Sequence, residues 1–231
     1  MSCAERFHAR ALLSPTVAGF VEVLGPQHPD TLASRNNLAG ALRELGELEE
    51  AVQLYIENRA AFLASRGRDD PRSVLAAVNL AHALALVGRS DDAEQAFSEA
   101  RADAIRFLGP SSRITLANEA NFAAFLVDSK RFAEAVVVGE RTASLADREL
   151  GRDHPQSLAA KSTLAMACLG LGKADRAIDA IGSTDAVVGT RRTLTRVERH
   201  FLDVAARAME ASGQPARGAE IRARIESDTS R

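Results

Sequence analysis

The chain has 231 residues, and 46% of them are apolar, which is enough for a sizeable core. A formal net charge of −2 excludes the strongly basic surface that binds nucleic acid or anionic membranes through charge alone, so we expect neither as a partner. Two cysteines, Cys3 and Cys168, are too few for a disulfide framework and fit a reducing, cytoplasmic location. We expect no signal peptide, and no run approaches the roughly 20 apolar residues of a membrane span.

Residues 1–23 are predicted to be a degenerate helical segment. Phe20 is in phase with Phe62 of the repeats that follow. Ser14 and Pro15 predict a helix that begins here, because a serine cap followed by a first-turn proline is a common helix start. So irregular a first segment is compatible with self-association of the chain through this end.

A period of 42 residues occurs four times in the chain that follows. Glycines, large apolar residues and alanines recur at this interval. The clearest columns are Gly25, Gly67, Gly109 and Gly151; Leu32, Val74, Leu116 and Leu158; Leu38, Leu80, Phe122 and Leu164; Ala39, Ala81, Ala123 and Ala165; and Ala51, Ala93, Ala135 and Ala177. A period of this length predicts an all-α array of stacked units, each of which buries an apolar face against the next.

Each repeat is predicted to be a helix, a tight turn and an antiparallel helix. His28 and Pro29 start the first helix, as Asp70 and His154 do before the prolines of later repeats, and Ser112 is the predicted cap of the third. Gly46 makes the turn between the two helices, and Lys130 replaces this glycine in the third repeat. The predicted repeats cover residues 24–65, 66–107, 108–149 and 150–182, the last with a shortened second helix.

The C-terminal part departs from the period. Residues 183–192 are predicted to be a loop, and residues 193–231 a degenerate fifth helix hairpin that caps the array. Ala219 lies four periods after Ala51 and marks the second helix of this hairpin. Arginines mixed with acids in this region indicate a solvated helix face, and they include Arg196, Arg199 and Arg222.

The segment from Leu24 to Leu32, together with Asn36-Asn37-Leu38-Ala39, Gly46 and Glu50-Ala51, resembles the 42-residue tetratricopeptide repeat of kinesin light chains, which many bacterial proteins also carry. The resemblance covers residues 24–182. It implies a right-handed superhelical α-solenoid of antiparallel helix hairpins. It also implies a concave groove lined by the first helix of each hairpin.

The resemblance also implies that one stripe of each first helix faces this groove. The spacing of three or four positions keeps the residues of the stripe on one face of the helix. The stripe contains Asn37 and Glu44; Leu75, Asn79, His82 and Leu86; Asn121 and Asp128; and Thr163 and Met166, with small residues including Gly40 and Gly170 between them. Carboxamides both donate and accept hydrogen bonds, so a ladder of asparagines is suited to holding the backbone of an extended peptide. The alternative is that the asparagines bind carbonyl groups of neighbouring helices and only support the fold.

Grooves of this family that capture a C-terminal carboxylate use Lys and Arg on the stripe, and this stripe has none. We therefore expect a neutral or basic, partly apolar partner segment and not an acidic C-terminal tail. His82 lies on the stripe without an acidic partner in the sequence.

The sequence predicts no catalytic, cofactor-binding or metal-binding residues. Gly170 to Ala174 superficially resembles a phosphate-binding loop but lacks its first glycine and the Ser or Thr after Lys173. Cys168 occupies the column of Leu42, Leu84 and Leu126 and is predicted to lie in the core. We expect a non-catalytic protein–protein interaction module. A peptide-responsive sensor that acts through a change in superhelix shape is the alternative.

Overall fold

The computed structural model describes residues 3–189 and 193–229, and this part of the chain contains helices and no strands. The helices are α1 (Cys3–Leu24), α2 (Pro29–Leu45), α3 (Leu48–Arg66), α4 (Pro71–Leu86), α5 (Ser90–Asp103), α6 (Arg113–Asp128), α7 (Phe132–Leu150), α8 (Pro155–Gly170), α9 (Ala174–Ile181), α10 (Asp185–Val188), α11 (Arg196–Ala211) and α12 (Pro215–Thr229). A π-helical turn over Ala104–Leu108 continues α5. No helix in the described ranges is long and apolar enough to cross a membrane.

The chain divides into two compact units, with the boundary between Asn118 and Glu119 inside α6. In unit 1, helices α1 to α5 pack successively, each on the next. In unit 2, α7 packs on α8 and α8 on α9, while α11 packs on α8, α9 and α12. Each unit is therefore a layered stack of helices, as the repeat predicts.

Side chains cap the first helices of the hairpins as predicted. His28 Nδ1 accepts a hydrogen bond from the Asp30 backbone N–H at 3.3 Å, and His154 Nδ1 accepts from that of Gln156 at 3.2 Å. The carboxylate of Asp70 caps α4. In the third repeat Ser112 Oγ accepts from the backbone N–H of Thr115 at 3.1 Å. Each cap satisfies a backbone donor that the helix leaves unpaired.

The turn inside each hairpin takes one conformation in all four repeats. The residue that follows the left-handed residue of the turn donates its backbone N–H to the carbonyl five residues earlier, as Glu47 does to Leu42 at 2.9 Å. This Schellman-type turn requires a left-handed residue, which is normally glycine. Lys130 adopts the same conformation with φ +60°, and it is the only non-glycine residue with positive φ in the described chain.

The predicted columns form the cores of the two units. The residues of the four columns that contain no glycine are almost or completely buried. Cys168 is also completely buried, and burial raises the pKa of its thiol. The core position predicted for this cysteine is confirmed.

The helix start predicted at Ser14 and Pro15 is wrong. A single helix, α1, runs from Cys3 to Leu24 with Pro15 inside it. An internal proline removes one backbone hydrogen bond and costs about 3 kcal/mol. The helix packs against α2, and tertiary packing of this kind routinely overrides a local signal.

The fifth hairpin follows the fourth at 41 residues instead of 42. Gly213 is left-handed like Gly172, and Gln214 N–H donates to Met209 as Lys173 N–H does to Cys168. One residue of the period is thus missing across the loop before α11. Consequently Ala219 is exposed, and Gly218 takes the buried position that corresponds to Ala177. A Cβ at Gly218 would lie 2.9 Å from Glu210 Cγ and 3.1 Å from the Ala206 carbonyl oxygen, so even alanine is too large there.

Candidate functional site

Four residues of the predicted stripe lie along one face of α4 in unit 1. They are Leu75, Asn79, His82 and Leu86, which follow the helix at intervals of four, three and four residues. Leu75 is 39% exposed and Leu86 is 47% exposed, although both are large apolar side chains. Asn79 and His82, which lie between the two leucines, are half-buried. This face of α4 therefore has an apolar contact point near each end and hydrogen-bonding groups in its middle.

Two side-chain hydrogen bonds join α2 to this face of α4. Asn79 Nδ2 donates to Asn36 Oδ1 at 2.8 Å, and an Nη1 hydrogen of Arg43 points to His82 Nδ1 at 3.3 Å. Asn36 and Arg43 each lie one position before a predicted stripe residue. They turn toward α4, while the predicted residues Asn37 and Glu44 are exposed. Sequence spacing identified the face but missed the two α2 residues that connect it to the next hairpin.

His82 accepts the hydrogen bond from Arg43 because its ring is neutral. Burial, assisted by the positive charge of Arg43, lowers the pKa of His82 to about 4. With Nδ1 as acceptor, the ring proton of the neutral form is on Nε2. Arg43 thus brings a positive charge to a stripe that was expected to contain none.

Tyr55 lies beneath the same part of α2. It is almost completely buried, and a Cβ built on Gly40 would be 3.7 Å from its hydroxyl oxygen. Burial raises the pKa of Tyr55, with a smaller opposing effect from Arg43. Gly40 consequently leaves a shallow space above a neutral phenol hydroxyl.

The stripe residues of unit 2 are less available for a ligand. Thr163 Oγ1 donates to the Ala159 carbonyl of its own helix at 3.1 Å. Met166 and Asn121 are half-buried, and Asp128 is exposed. The space expected at Gly170 is filled, since a Cβ there would lie 2.5 Å from ring atoms of Phe132.

The described part of the chain holds no group of three or more His, Cys, Asp or Glu side chains arranged for a metal ion. The residues that resemble a phosphate-binding loop form the end of α8 and its turn, in which Lys173 N–H bonds the carbonyl of Cys168. Gly170 and Gly172 therefore belong to the C-terminal end of a helix and its turn.

Family models of the tetratricopeptide repeat match residues 8–62, 30–106 and 120–156. The chain belongs to the tetratricopeptide repeat family, and the resemblance seen in its sequence is confirmed. Repeats of this family are generally protein–protein interaction modules. No curated protein matches the chain in sequence.

Solved structures of kinesin light chain-like repeats share the fold. The nearly identical TPR-like repeats of a kinesin light chain-type protein from Podosopora anserina match with a TM-score of 0.71 and 23% identity, covering 87% of this chain and 96% of that one. BtubC (BKLC) from P. vanneervenii matches with a TM-score of 0.76 and 16% identity, covering 97% and 91% respectively. At these identities the likeness establishes the fold alone, and it confirms the predicted all-α solenoid class.

Proposed function

We propose that this protein binds an extended peptide segment of a partner protein along the α2–α4 face of unit 1. The observation that carries the proposal is the exposure of Leu75 and Leu86 on the face that also presents Asn79 and His82. Large apolar side chains that remain exposed in a row with hydrogen-bonding groups are typical of binding surfaces.

The spacing of the two leucines suits an extended peptide. They are 11 residues apart on α4, which corresponds to about 16 Å along a helix. An extended chain rises about 3.3 Å per residue. The leucines would therefore contact ligand side chains about five residues apart.

The carboxamides between and beside these contacts would bind the ligand backbone. Asn37 is exposed on α2, and its amide supplies both a donor and an acceptor. The hydrogen bond that Asn79 donates to Asn36 fixes the orientation of the Asn79 side chain, so less side-chain entropy is lost when a ligand binds.

The charges favour a neutral or basic, partly apolar segment. Glu44 is exposed on this face, and Asp128 is exposed on the corresponding stripe of unit 2. Arg43 contacts the α4 stripe, and His82, which is neutral near pH 7, already accepts one of its hydrogen bonds. An arginine whose hydrogen bond is already used in this way is a weak basis for capturing an acidic tail.

The test is selection of peptides from a randomised display library against the full chain, followed by affinity measurements on variants. Leu75→Ser should weaken the selected peptides about tenfold, the effect of removing about 1.4 kcal/mol of apolar contact. Ile56→Ser is the matched control, because Ile56 of α3 is also 39% exposed but belongs to the second helix of its hairpin. Circular dichroism should show that both variants are folded.

Equal loss in both variants, or no loss in Leu75→Ser, would place peptide binding elsewhere on the protein. Selection of acidic peptides with salt-sensitive affinity for this face would refute the charge assignment alone.

A further inference from the structure

A cavity of about 420 Å³ lies at the hairpin of α11 and α12, within unit 2. Its lining residues are Arg196, Arg199, His200 and Asp203 of α11, and Arg222, Ile225 and Glu226 of α12. In each helix these residues are spaced by one, three or four positions, so one polar face of each helix borders the cavity. The cavity is open to solvent, and a volume of this size is typical of sites for small ligands.

Ion pairs fix two of the arginines that line the cavity. Arg222 donates to Glu210 at 2.7 and 3.0 Å and to Asp203 at 3.3 Å. Arg199 Nη2 donates at 2.8 Å to Asp228, a buried carboxylate that also accepts the Leu194 backbone N–H at 2.9 Å. The pKa of Asp228 is lowered mainly by this backbone hydrogen bond and further by Arg199. This carboxylate is thus ionised and fixes Arg199 in place.

Two other side chains of the lining are exposed and have no partner among the described residues. Within residues 3–189 and 193–229, the side chains of Arg196 and His200 make no hydrogen bond or ion pair, and the two lie one helical turn apart on α11. The Nε of Arg199 is also buried and has no acceptor among the described residues. Buried donors are rarely left unpaired in proteins, and the arginine of a fixed ion pair has little freedom to find another acceptor.

The charges of the lining residues favour some anions over others. Three arginines face two carboxylates, Asp203 and Glu226, which would repel a multiply charged phosphate more strongly than a single carboxylate. Ile225 provides an apolar contact beside these charges. Arginine also matches the planar geometry of a carboxylate.

We propose that this cavity binds one carboxylate attached to a short apolar group, as found in a small organic acid or at the C-terminal residue of a peptide. Arg196 and His200 would donate to the carboxylate, and Ile225 would contact the apolar group. The site is separate from the α2–α4 face and does not depend on peptide binding there.

The test uses the full chain and follows its backbone amide NMR signals during titration with N-acetyl-leucine. We expect saturable shifts confined to residues 196–203 and 222–226. The double variant Arg196→Gln, His200→Gln should bind at least about tenfold more weakly, the loss expected for charge-assisted hydrogen bonds. Arg217→Gln is the control, because Arg217 is an exposed arginine of α12 that pairs with Asp185 and Glu220 and does not line the cavity.

The source of the carboxylate is distinguished by comparing the affinity of a leucine-terminated tripeptide with that of N-acetyl-leucine. Tighter binding of the free-acid tripeptide than of N-acetyl-leucine assigns the cavity to a peptide C-terminus, and the reverse order assigns it to a small acid. Absence of shifts in these two segments at millimolar ligand, or shifts that survive in the double variant, would overturn the proposal. Tighter binding of inorganic phosphate would overturn the choice of a carboxylate.

Discussion

Asn79 of α4 donates a hydrogen bond from Nδ2 to Oδ1 of Asn36 in α2, 2.8 Å away. The bond joins the first helices of two successive hairpins. It gives Asn79 a structural role, while Asn37 in the same repeat column is exposed. The predicted asparagine ladder thus contains residues of both kinds, and a bound ligand would meet one carboxamide that is fixed and one that is free to reorient.

Removing either carboxamide of this pair should cost about 0.5–1.5 kcal/mol of unfolding free energy, the usual net contribution of a hydrogen bond. Asn36→Ala and Asn79→Ala should not be additive, because each substitution removes the same bond. Asn37→Ala, at an exposed site, should change stability by less than about 0.5 kcal/mol. Urea unfolding of the four variants measures these values, and additive effects in the double variant would show that the bond contributes nothing.

Lys130 occupies a turn position that glycine fills in the other repeats. A left-handed conformation costs an ordinary residue about 1–2 kcal/mol, and glycine loses about 0.5–1 kcal/mol through its greater freedom in the unfolded chain. Lys130→Gly should therefore stabilise the protein by about 0.5–1 kcal/mol.

The reciprocal control is Gly172→Lys, in the same unit and the same turn. A Cβ at Gly172 meets no atom within 4 Å, so only the backbone penalty applies and the substitution should destabilise by a similar amount. Thermal unfolding of both variants measures these changes in stability. A destabilised Lys130→Gly protein would mean that the lysine side chain stabilises the turn more than its backbone strains it.

The residues that could be predicted from the sequence are those fixed by local chemistry and by the period. The capping roles of His28 and Asp70 follow from side chains next to a proline, and the core positions follow from columns repeated every 42 residues. Pro15 shows the limit of local chemistry, because Ser14-Pro15 has the same pattern as a helix start and yet lies inside α1.

The candidate site was only partly predictable, since two of its features depend on tertiary placement. Arg43 lies off the stripe by helical spacing, and only its long side chain brings the guanidinium to His82. The charged faces of α11 and α12 have the composition of solvated surface, and the cavity exists because of where the two helices lie. Periodicity specifies which face a residue occupies but not how far a side chain reaches.

The shifted phase of the fifth hairpin predicts different tolerances at two adjacent residues. Gly218→Ala should destabilise the protein by about 1–2 kcal/mol, because overpacking costs about 1–3 kcal/mol and the better helix propensity of alanine returns up to about 1 kcal/mol. Ala219→Leu should change stability by less than about 0.5 kcal/mol, since this side chain is exposed. If urea unfolding shows the opposite order, the hairpin keeps the 42-residue phase and Ala219 is the packed residue.

His82 should make stability depend on pH in mildly acidic solution. Its pKa is about 4 in the folded protein and 6.5 when unperturbed, with burial as the larger cause and Arg43 as the smaller. Between these values the unfolded chain binds a proton that the folded chain does not, so unfolding free energy should fall as pH decreases from 6.5 to about 4, by at most about 1.4 kcal/mol per unit. Above pH 6.5 this contribution is constant, because His82 is neutral in both states.

The variant His82→Gln keeps an acceptor for Arg43 but does not titrate. The difference in unfolding free energy between wild type and variant should therefore be constant above pH 6.5 and should shift in favour of the variant below it. Arg43→Gln separates the two causes, since removing the nearby charge should raise the pKa of His82 while burial keeps it below 6.5. Urea unfolding across this pH range, with NMR titration of the His82 ring, measures both effects. Parallel pH profiles for wild type and His82→Gln would show that the imidazole is protonated equally in the folded and unfolded chain, and that Arg43 does not point at it in solution.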